Sequence, residues 1–332
     1  MPTAENFRWV EETVSPLSGG RILVQTIYLS VDPYIRGRMR NVRSYAPPLE
    51  LDQVIEGGVV GRVVESKHPD FRPGDFVTGR LGWQDYAICD TASLRKLPNN
   101  PALLPAALGV LGMPGLTAYF ALLEVGKPRS TETVVVSGAA GAVGMIVGQI
   151  AKLKGCRAVG IAGSDEKVRY LTEELGLDAG INYRKTENLR RALKDACPNG
   201  IDIYFDNVGG PISDAAITLI RLHARIIICG QISLYNLEKP EMGPRNAAYL
   251  LVNRARMEGF LVHDYVGRSQ EGIEQLTSWV KSGQIKHRET IVVGLEKAPE
   301  AFLGLFRGEN IGKQVVQVAD LNGKLLSAGA KK

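Results

Sequence analysis

The chain has 332 residues, a length that fits about two domains. Apolar residues make up 45 % and charged residues 23 %, a globular balance that excludes a disordered or collagen-like chain and leaves ample material for a core. Forty basic against 35 acidic residues give +5, and no long Lys/Arg run occurs; this excess suits an anionic small ligand and does not indicate a nucleic-acid partner.

The first part of the chain reads as β-rich. Short apolar runs at Arg21–Leu29, Val59–Glu65, Asp75–Thr78 and Tyr86–Cys89 are separated by turn signals such as Ser18-Gly19-Gly20 and Pro73-Gly74-Asp75. A Pro/Gly-punctuated connector, Pro98 to Pro114, marks a candidate boundary. From Thr133 strands and helices alternate. Strands are expected at Thr133–Ser137, Arg157–Ala162, Ala179–Asn182, Ile201–Phe205, Arg225–Cys229 and Met257–Val262. Helices are expected at Val143–Leu153, Asp165–Leu175, Glu187–Ala196, Ser213–Ile220 and Gln270–Lys281. Such alternation means βαβ units and a parallel sheet covered on both faces. A last β-branched run, Gln314–Val318, closes the series.

Two uncharged stretches, Asn99–Leu123 and Thr133–Ala151, are interrupted by prolines or glycines and read as buried elements rather than membrane spans. The four cysteines (Cys89, Cys156, Cys197, Cys229) lie far apart, and no secretory signal opens the sequence. The expectation is free thiols in a reducing, cytoplasmic compartment.

The run Ser137-Gly138-Ala139-Ala140-Gly141-Ala142-Val143-Gly144 follows a strand and opens a helix. It is the GxGxxG dinucleotide fingerprint with Ala139 in one position. Gly141 admits a pyrophosphate close to the backbone, Gly144 lets the helix pack near the strand, and the helix N-terminus offers N–H groups to the phosphates. An NAD enzyme needs an acid at the end of the second strand to hold the ribose 2′-hydroxyl. Gly155 to Ser164 contains none. Lys167 follows, an ammonium suited to a 2′-phosphate, so the reading is NADP(H). Asp165 and Glu166 are expected in the first helical turn, where acids suit the dipole.

A zinc dehydrogenase needs a Cys ligand in the first domain and a His-Glu pair near a glycine. Here the first ninety residues hold only His68 and Cys89, and Ile55-Glu56-Gly57 has no His, so no metal site is expected. Hydride delivery to an electron-poor carbon, such as the β-carbon of an enone, needs no Lewis acid; a hydrogen-bond donor for the enolate oxygen suffices.

The order of a β-rich domain, a Rossmann domain and a return resembles the medium-chain dehydrogenase/reductase family, and more closely its zinc-free NADPH-dependent alkenal/enone reductases. The motifs that carry the resemblance are Leu29 to Met39 (Leu-Ser-Val-Asp-Pro-Tyr-Ile-Arg-Gly-Arg-Met), Gly82 to Tyr86, Met113 to Tyr119, Ser137 to Gly144, Phe205-Asp206-Asn207-Val208-Gly209-Gly210, Cys229 to Ser233 and Gly308 to Lys313. The resemblance implies an α/β fold: a Rossmann doubly wound parallel sheet (121–295) plus a β-rich, GroES-like substrate domain (1–120 and 296–332).

It also implies roles. Gly141, Ala142, Val143 and Gly144 hold the pyrophosphate. Ser164, Lys167 and Tyr183 surround the 2′-phosphate. Asn207 lies beside the cofactor; Cys229, Gly230, Ile232, Ser233 and Tyr235 run along its nicotinamide half; Phe260, Leu261, Val262 and Asn310 complete that half. Tyr235 bonds the nicotinamide ribose and relays a proton, and Tyr45 belongs to the substrate pocket. The implied reaction reduces the carbon–carbon double bond of an α,β-unsaturated aldehyde or ketone in the cleft between domains, with neither membrane nor nucleic acid involved and a homodimer as the assembly. A zinc-free NADPH:quinone reductase is the nearest alternative on the same fold, and a non-catalytic NADPH-binding protein is another. From the residues alone, Cys229 reads as a buried thiol rather than a nucleophile, and Asp32-Pro33-Tyr34 as a structural turn.

Overall fold

The computed structural model describes residues 1–327. The chain forms two compact units, one of Met1–Leu108 plus the segment from Glu289 onward, the other Gly109–Arg288. In chain order the first unit begins with β1 (Ile22–Ser30), α1 (Ile35–Arg38), β2 (Gly58–Ser66), β3 (Phe76–Arg80), β4 (Tyr86–Cys89) and β5 (Arg95–Leu97). The second unit runs α2 (Met113–Phe120), β6 (Thr133–Ser137), α3 (Gly144–Leu153), β7 (Arg157–Ala162), α4 (Asp165–Arg169), β8 (Ala179–Asn182), α5 (Leu189–Ala196), β9 (Ile201–Asp206), α6 (Gly210–Ile217), β10 (Ile220–Ile228), α7 (Ala247–Asn253), β11 (Arg256–Gly259) and α8 (Ser269–Lys281). The chain then returns with β12 (Glu289–Val293), α9 (Ala298–Arg307) and β13 (Lys313–Gln317).

The first unit is a largely antiparallel sheet of order β12-β13-β1-β2-β3-β5, with β4 also on β1; only β12 and β13 run parallel. β1 is buried almost throughout, and Ile22, Val24 and Leu29 pack with Val59, Val77 and Phe302 of α9. Lys313 is buried at the start of β13. Its Nζ donates to Val31 O (2.9 Å), Gln314 O (2.9 Å) and Asp32 Oδ1 (3.1 Å), while the Ser30 hydroxyl donates to Asp32 Oδ2. A cation this deep is tolerable only because its hydrogen bonds and counter-charge are supplied together. Asp32 therefore ties the end of β1 to β13.

The second unit is an all-parallel sheet of order β11-β10-β9-β6-β7-β8. β6 (Thr-Val-Val-Val-Ser) is wholly buried, as a central strand covered on both faces must be. The chain builds outward in one direction through β7 and β8 and in the other through β9 to β11, so the order reverses between β6 and β9.

Three differences from the sequence expectations have physical causes. The units divide at Leu108/Gly109 and Arg288/Glu289, earlier than the expected 120/121 and 295/296, because α2 packs on α8 and α3 while β12 pairs with β13. The helix expected over Ser213–Ile220 is α6, shifted to Gly210–Ile217. Gly209 and Gly210 at positive φ turn the chain and Pro211 seeds the first helical turn, so by Ile220 the chain is already in β10. The helix expected over Asp165–Leu175 is α4 followed by a wider π turn, Tyr170–Glu174. Among the described residues no single helix is long and apolar enough to cross a membrane.

Candidate active site

The expected site residues of the second unit all follow carboxyl ends of parallel strands. The glycine turn follows β6, Ser164 and Lys167 follow β7, Tyr183 follows β8, Asn207 follows β9, Cys229 to Tyr235 follow β10, and Phe260 to Val262 follow β11. In open α/β sheets ligands bind at these ends, where the strand order reverses.

In the glycine turn Gly138 has φ +58°, and the Ala139 N–H donates to Ile161 O of β7 (3.0 Å). A Cβ at Gly144 would lie 2.4 Å from Gly138 O and 2.7 Å from the Ala139 Cα, so only glycine lets α3 start this close to β6. At Gly141 the nearest atom would be Gly138 O at 3.2 Å; this position is tight toward the protein but leaves its other side for a ligand.

Beneath the turn sits Asp206, wholly buried. It accepts hydrogen bonds from Ser137 Oγ (2.8 Å), Tyr204 Oη (3.0 Å), the Ser213 hydroxyl, and the N–H groups of Val208 and Gly209 (3.0 Å each). These donors stand in for water around the carboxylate and lock the end of β9 against β6. Asn207 extends the lock: its N–H donates to Ser137 Oγ (2.9 Å) and its amide Nδ2 to Ser137 O (2.8 Å). Neither Ser137 nor Asp206 was singled out from sequence as a site residue, although both stand inside the motifs. The signal was a serine ending one strand and an aspartate ending its neighbour.

Around Gly163 four polar side chains converge. Ser164 caps α4 by accepting from the Lys167 N–H (3.2 Å). A Cβ on Gly163 would meet Tyr183 Cε1 at 3.3 Å, Tyr183 Oη at 3.4 Å and Arg184 Nε at 3.4 Å. The Arg184 guanidinium lies 5.9 Å from the Tyr183 ring centre. Burial, and then the nearby Arg184 charge, hold the Lys167 ammonium below its ordinary pKa. Two cations sharing one corner favour a polyvalent anion between them. Asp165 does not oppose this, since its carboxylate is engaged by Lys185 and by Asn182 Nδ2 (2.6 Å). Arg184 escaped the sequence reading; its only signal was its place beside Tyr183 in the strand-end run.

Beyond β10 the chain is threaded along β9. The N–H groups of Cys229 and Gly230 donate to Asp206 O (2.9 and 3.0 Å), and Ser233 donates to Val208 O through both its N–H (3.0 Å) and its Oγ (2.6 Å). The Gln231 N–H donates to Tyr235 Oη (3.4 Å), which a Cβ on Gly230 would approach to 3.3 Å. Tyr235 thus folds back over the turn that carries it. Desolvation and the neighbouring Asp206 charge push the half-buried Cys229 thiol up to about 12, which favours its protonated form. Phe260 is anchored through its N–H to Ile228 O (3.1 Å), and its ring stacks on Tyr265, which stacks on Phe120.

Tyr45 and Asn310 belong to the first unit. Asn310 Nδ2 donates to Gly312 O (2.8 Å), the residue just before the buried Lys313. Tyr45 is 55 % exposed on the loop after α1. Burial, with Asp32 and Tyr45 nearby, pushes the Tyr34 phenol up to about 12, so it is a donor at neutral pH. Among the described residues no group of three or more His, Cys, Asp or Glu is placed to hold a metal ion. The residues do fit a phosphorylated dinucleotide, with a glycine turn left open on one side of Gly141 and a dicationic corner at the end of β7.

Comparison with known proteins agrees with this geometry. Residues 1–97 match a family model described as the N-terminal domain of oxidoreductase, and residues 142–282 one described as zinc-binding dehydrogenase. A putative NADP-dependent oxidoreductase of Bacillus subtilis, YfmJ, is 51 % identical over 96 % of this chain and 95 % of its own. The NADPH-dependent curcumin reductase of Escherichia coli is 47 % identical over 96 % and 93 %. The crystal structure of CurA from Vibrio vulnificus in complex with NADPH superposes with a TM-score of 0.92 at 46 % identity, covering 96 % of each chain.

Proposed function

The chain belongs to the medium-chain dehydrogenase/reductase family, in its branch of NADPH-dependent enone and alkenal reductases, and we propose from this that it reduces the carbon–carbon double bond of α,β-unsaturated aldehydes and ketones. The observation that carries the reading is the 47 % identity with the curcumin reductase across 96 % of the chain, with the nucleotide cradle intact.

In this reading Gly141 and the first N–H groups of α3 hold the pyrophosphate. Lys167, Arg184, Ser164 and Tyr183 hold the 2′-phosphate. Asn207, Cys229 to Ser233 and Phe260 to Val262 hold the nicotinamide half. NADPH, when bound, supplies the hydride that the substrate β-carbon accepts. Tyr235 Oη accepts from the Gln231 N–H, which strengthens its own O–H as a donor toward the substrate oxygen, where negative charge develops. The α-carbon takes its proton from solvent or through that phenol. Tyr45 keeps the substrate-pocket role that the resemblance implies.

The assembly in this reading is a homodimer formed by edge pairing of the Rossmann sheets. β11 is an edge strand with all four residues exposed, and α7 beside it exposes Leu251 (80 %) and Val252 (76 %), an apolar face that a second copy covers. A reducing, cytoplasmic setting belongs to the same reading and is in keeping with the four cysteines, all of which are free.

The test is NADPH oxidation with trans-2-nonenal and, separately, a 1,4-quinone, with mass spectrometry of the nonenal product. Nonanal is expected. Nonenol would mean carbonyl reduction and overturn the mechanism, and turnover of quinone alone would move the protein to the quinone reductases.

A further inference from the structure

The loop between α1 and β2 is long, carries Tyr45 and contains no regular element beyond turns. Residues 41–45 are exposed, and residues 41–48 line a shallow depression open to solvent. Loops of this kind inside a compact unit are kept for function, and they work only if something holds their shape.

What holds this one is a charge network. Arg38 is the last residue of α1, and its side chain is 9 % exposed. Its Nε donates to Pro47 O (2.9 Å), and its own carbonyl accepts from the Leu49 N–H (2.7 Å), so one residue pins the returning limb of the loop twice. Its guanidinium then forks onto Glu56, with Nη1 on Oε2 and Nη2 on Oε1 (3.1 Å). Arg80 of β3 reaches Glu56 Oε2 at 3.4 Å. Glu56 is thereby shared between the loop and the sheet, and the Arg38 hydrogen bond keeps its carboxyl below the ordinary carboxylate range. Tyr45 lies close enough to Tyr34 and Arg38 to influence the charge of both. A planar guanidinium is needed here, because one cation must satisfy a carbonyl on one edge and a carboxylate on the other.

We propose that Arg38, Glu56 and Arg80 are positioning residues for the substrate. Their network fixes how the 41–48 loop presents Tyr45, and so sets affinity for the enone without touching the reacting atoms. The proposal rests on the placement of Tyr45 in the substrate pocket.

The test measures KM for trans-2-nonenal, KM for NADPH, kcat and thermal midpoint in Glu56→Gln, Arg38→Met and Arg38→Lys, each also built on Tyr45→Ala. The expected result is a rise of about tenfold in enone KM for Glu56→Gln and Arg38→Met, with NADPH KM within about twofold and partial recovery in Arg38→Lys. On the Tyr45→Ala background the same substitutions should add nothing, because the loop has then lost what it presents. Equal rises with and without Tyr45 would overturn the proposal. So would both KM values rising in step with a fall in thermal midpoint, which marks general loosening. If Tyr45→Ala alone left the enone KM unchanged, the substrate role of Tyr45 would fail first, a result distinct from failure of the brace.

Discussion

Two glycines three residues apart should fail in opposite ways when each is changed to alanine. At Gly144 the new methyl would sit 2.4 Å from Gly138 O and 2.7 Å from the Ala139 Cα, both rigid backbone. A relaxed carbon–oxygen contact is about 3.3 Å, so α3 must retreat by roughly 1 Å from β6. Overpacking of this kind costs about 1–3 kcal/mol, against at most about 1 kcal/mol gained in helix propensity. At a net loss of about 1–2 kcal/mol the thermal midpoint should fall by about 2–8 °C for a unit of this size. At Gly141 the nearest atom would be 3.2 Å away, a strain relieved by a few tenths of an ångström, so the midpoint should move little. The methyl would nonetheless stand where the pyrophosphate approaches, and KM for NADPH should rise at least about tenfold, some 1.4 kcal/mol. Thermal melts with and without NADPH, together with KM for NADPH, separate the two, because a ligand that binds only the folded state raises the midpoint by an amount that grows with the logarithm of its affinity. A Gly141→Ala protein with unchanged NADPH affinity would refute the placement of the phosphates. A Gly144→Ala protein with an unchanged midpoint would refute the close approach of α3.

Lys167→Ala should raise KM for NADPH about tenfold or more while barely changing that for NADH, since only the 2′-phosphate meets the ammonium; equal effects would remove the assignment. Tyr235→Phe should lower kcat with nonenal by about a hundredfold and leave NADPH binding nearly intact, whereas an unchanged kcat would leave solvent as the proton route. Leu251→Glu should give single chains in light scattering if the proposed dimer forms through this face, and a dimer that persists in the variant would place the interface elsewhere. Glu132 is paired with Arg225 and accepts from the Arg129 N–H (2.8 Å). Burial works to raise its pKa, but these partners outweigh it and hold the carboxyl below 4.5. The folded value being the lower one, this stabilisation is complete above the unfolded pKa and is lost as pH falls through the folded value. Glu132→Gln should therefore flatten the decline in thermal midpoint below about pH 4.5, and an unaltered acid slope would count against the pair.

Some of this was legible without coordinates because it is local. β6, β7 and β8 fall at the residues expected, since short apolar runs set between turn residues and helical segments have few other uses. The glycine turn was equally readable, because backbone geometry and phosphate access constrain it residue by residue. β5, β12 and α9 went unread: β5 is three residues long, and β12 and α9 become elements only by packing on β13 and the first sheet. Arg184 was missed for a related reason, since a charged residue in a strand-end loop looks solvated until Gly163 and Lys167 are brought beside it.

What the sequence determined by itself is the chemistry written in short contiguous motifs: a parallel-sheet nucleotide fold, a phosphate cradle without an acid for the ribose, and a chain that resembles enone reductases end to end. Only the tertiary structure decided what depends on residues distant along the chain. Lys313 is Asp32's buried partner, Asp206 is the hub that locks β9 to β6, and Arg38 and Arg80 share Glu56 beneath the Tyr45 loop. Pattern and turn propensity act over a few residues, whereas a buried charge is defined by whatever the fold places within hydrogen-bond reach of it.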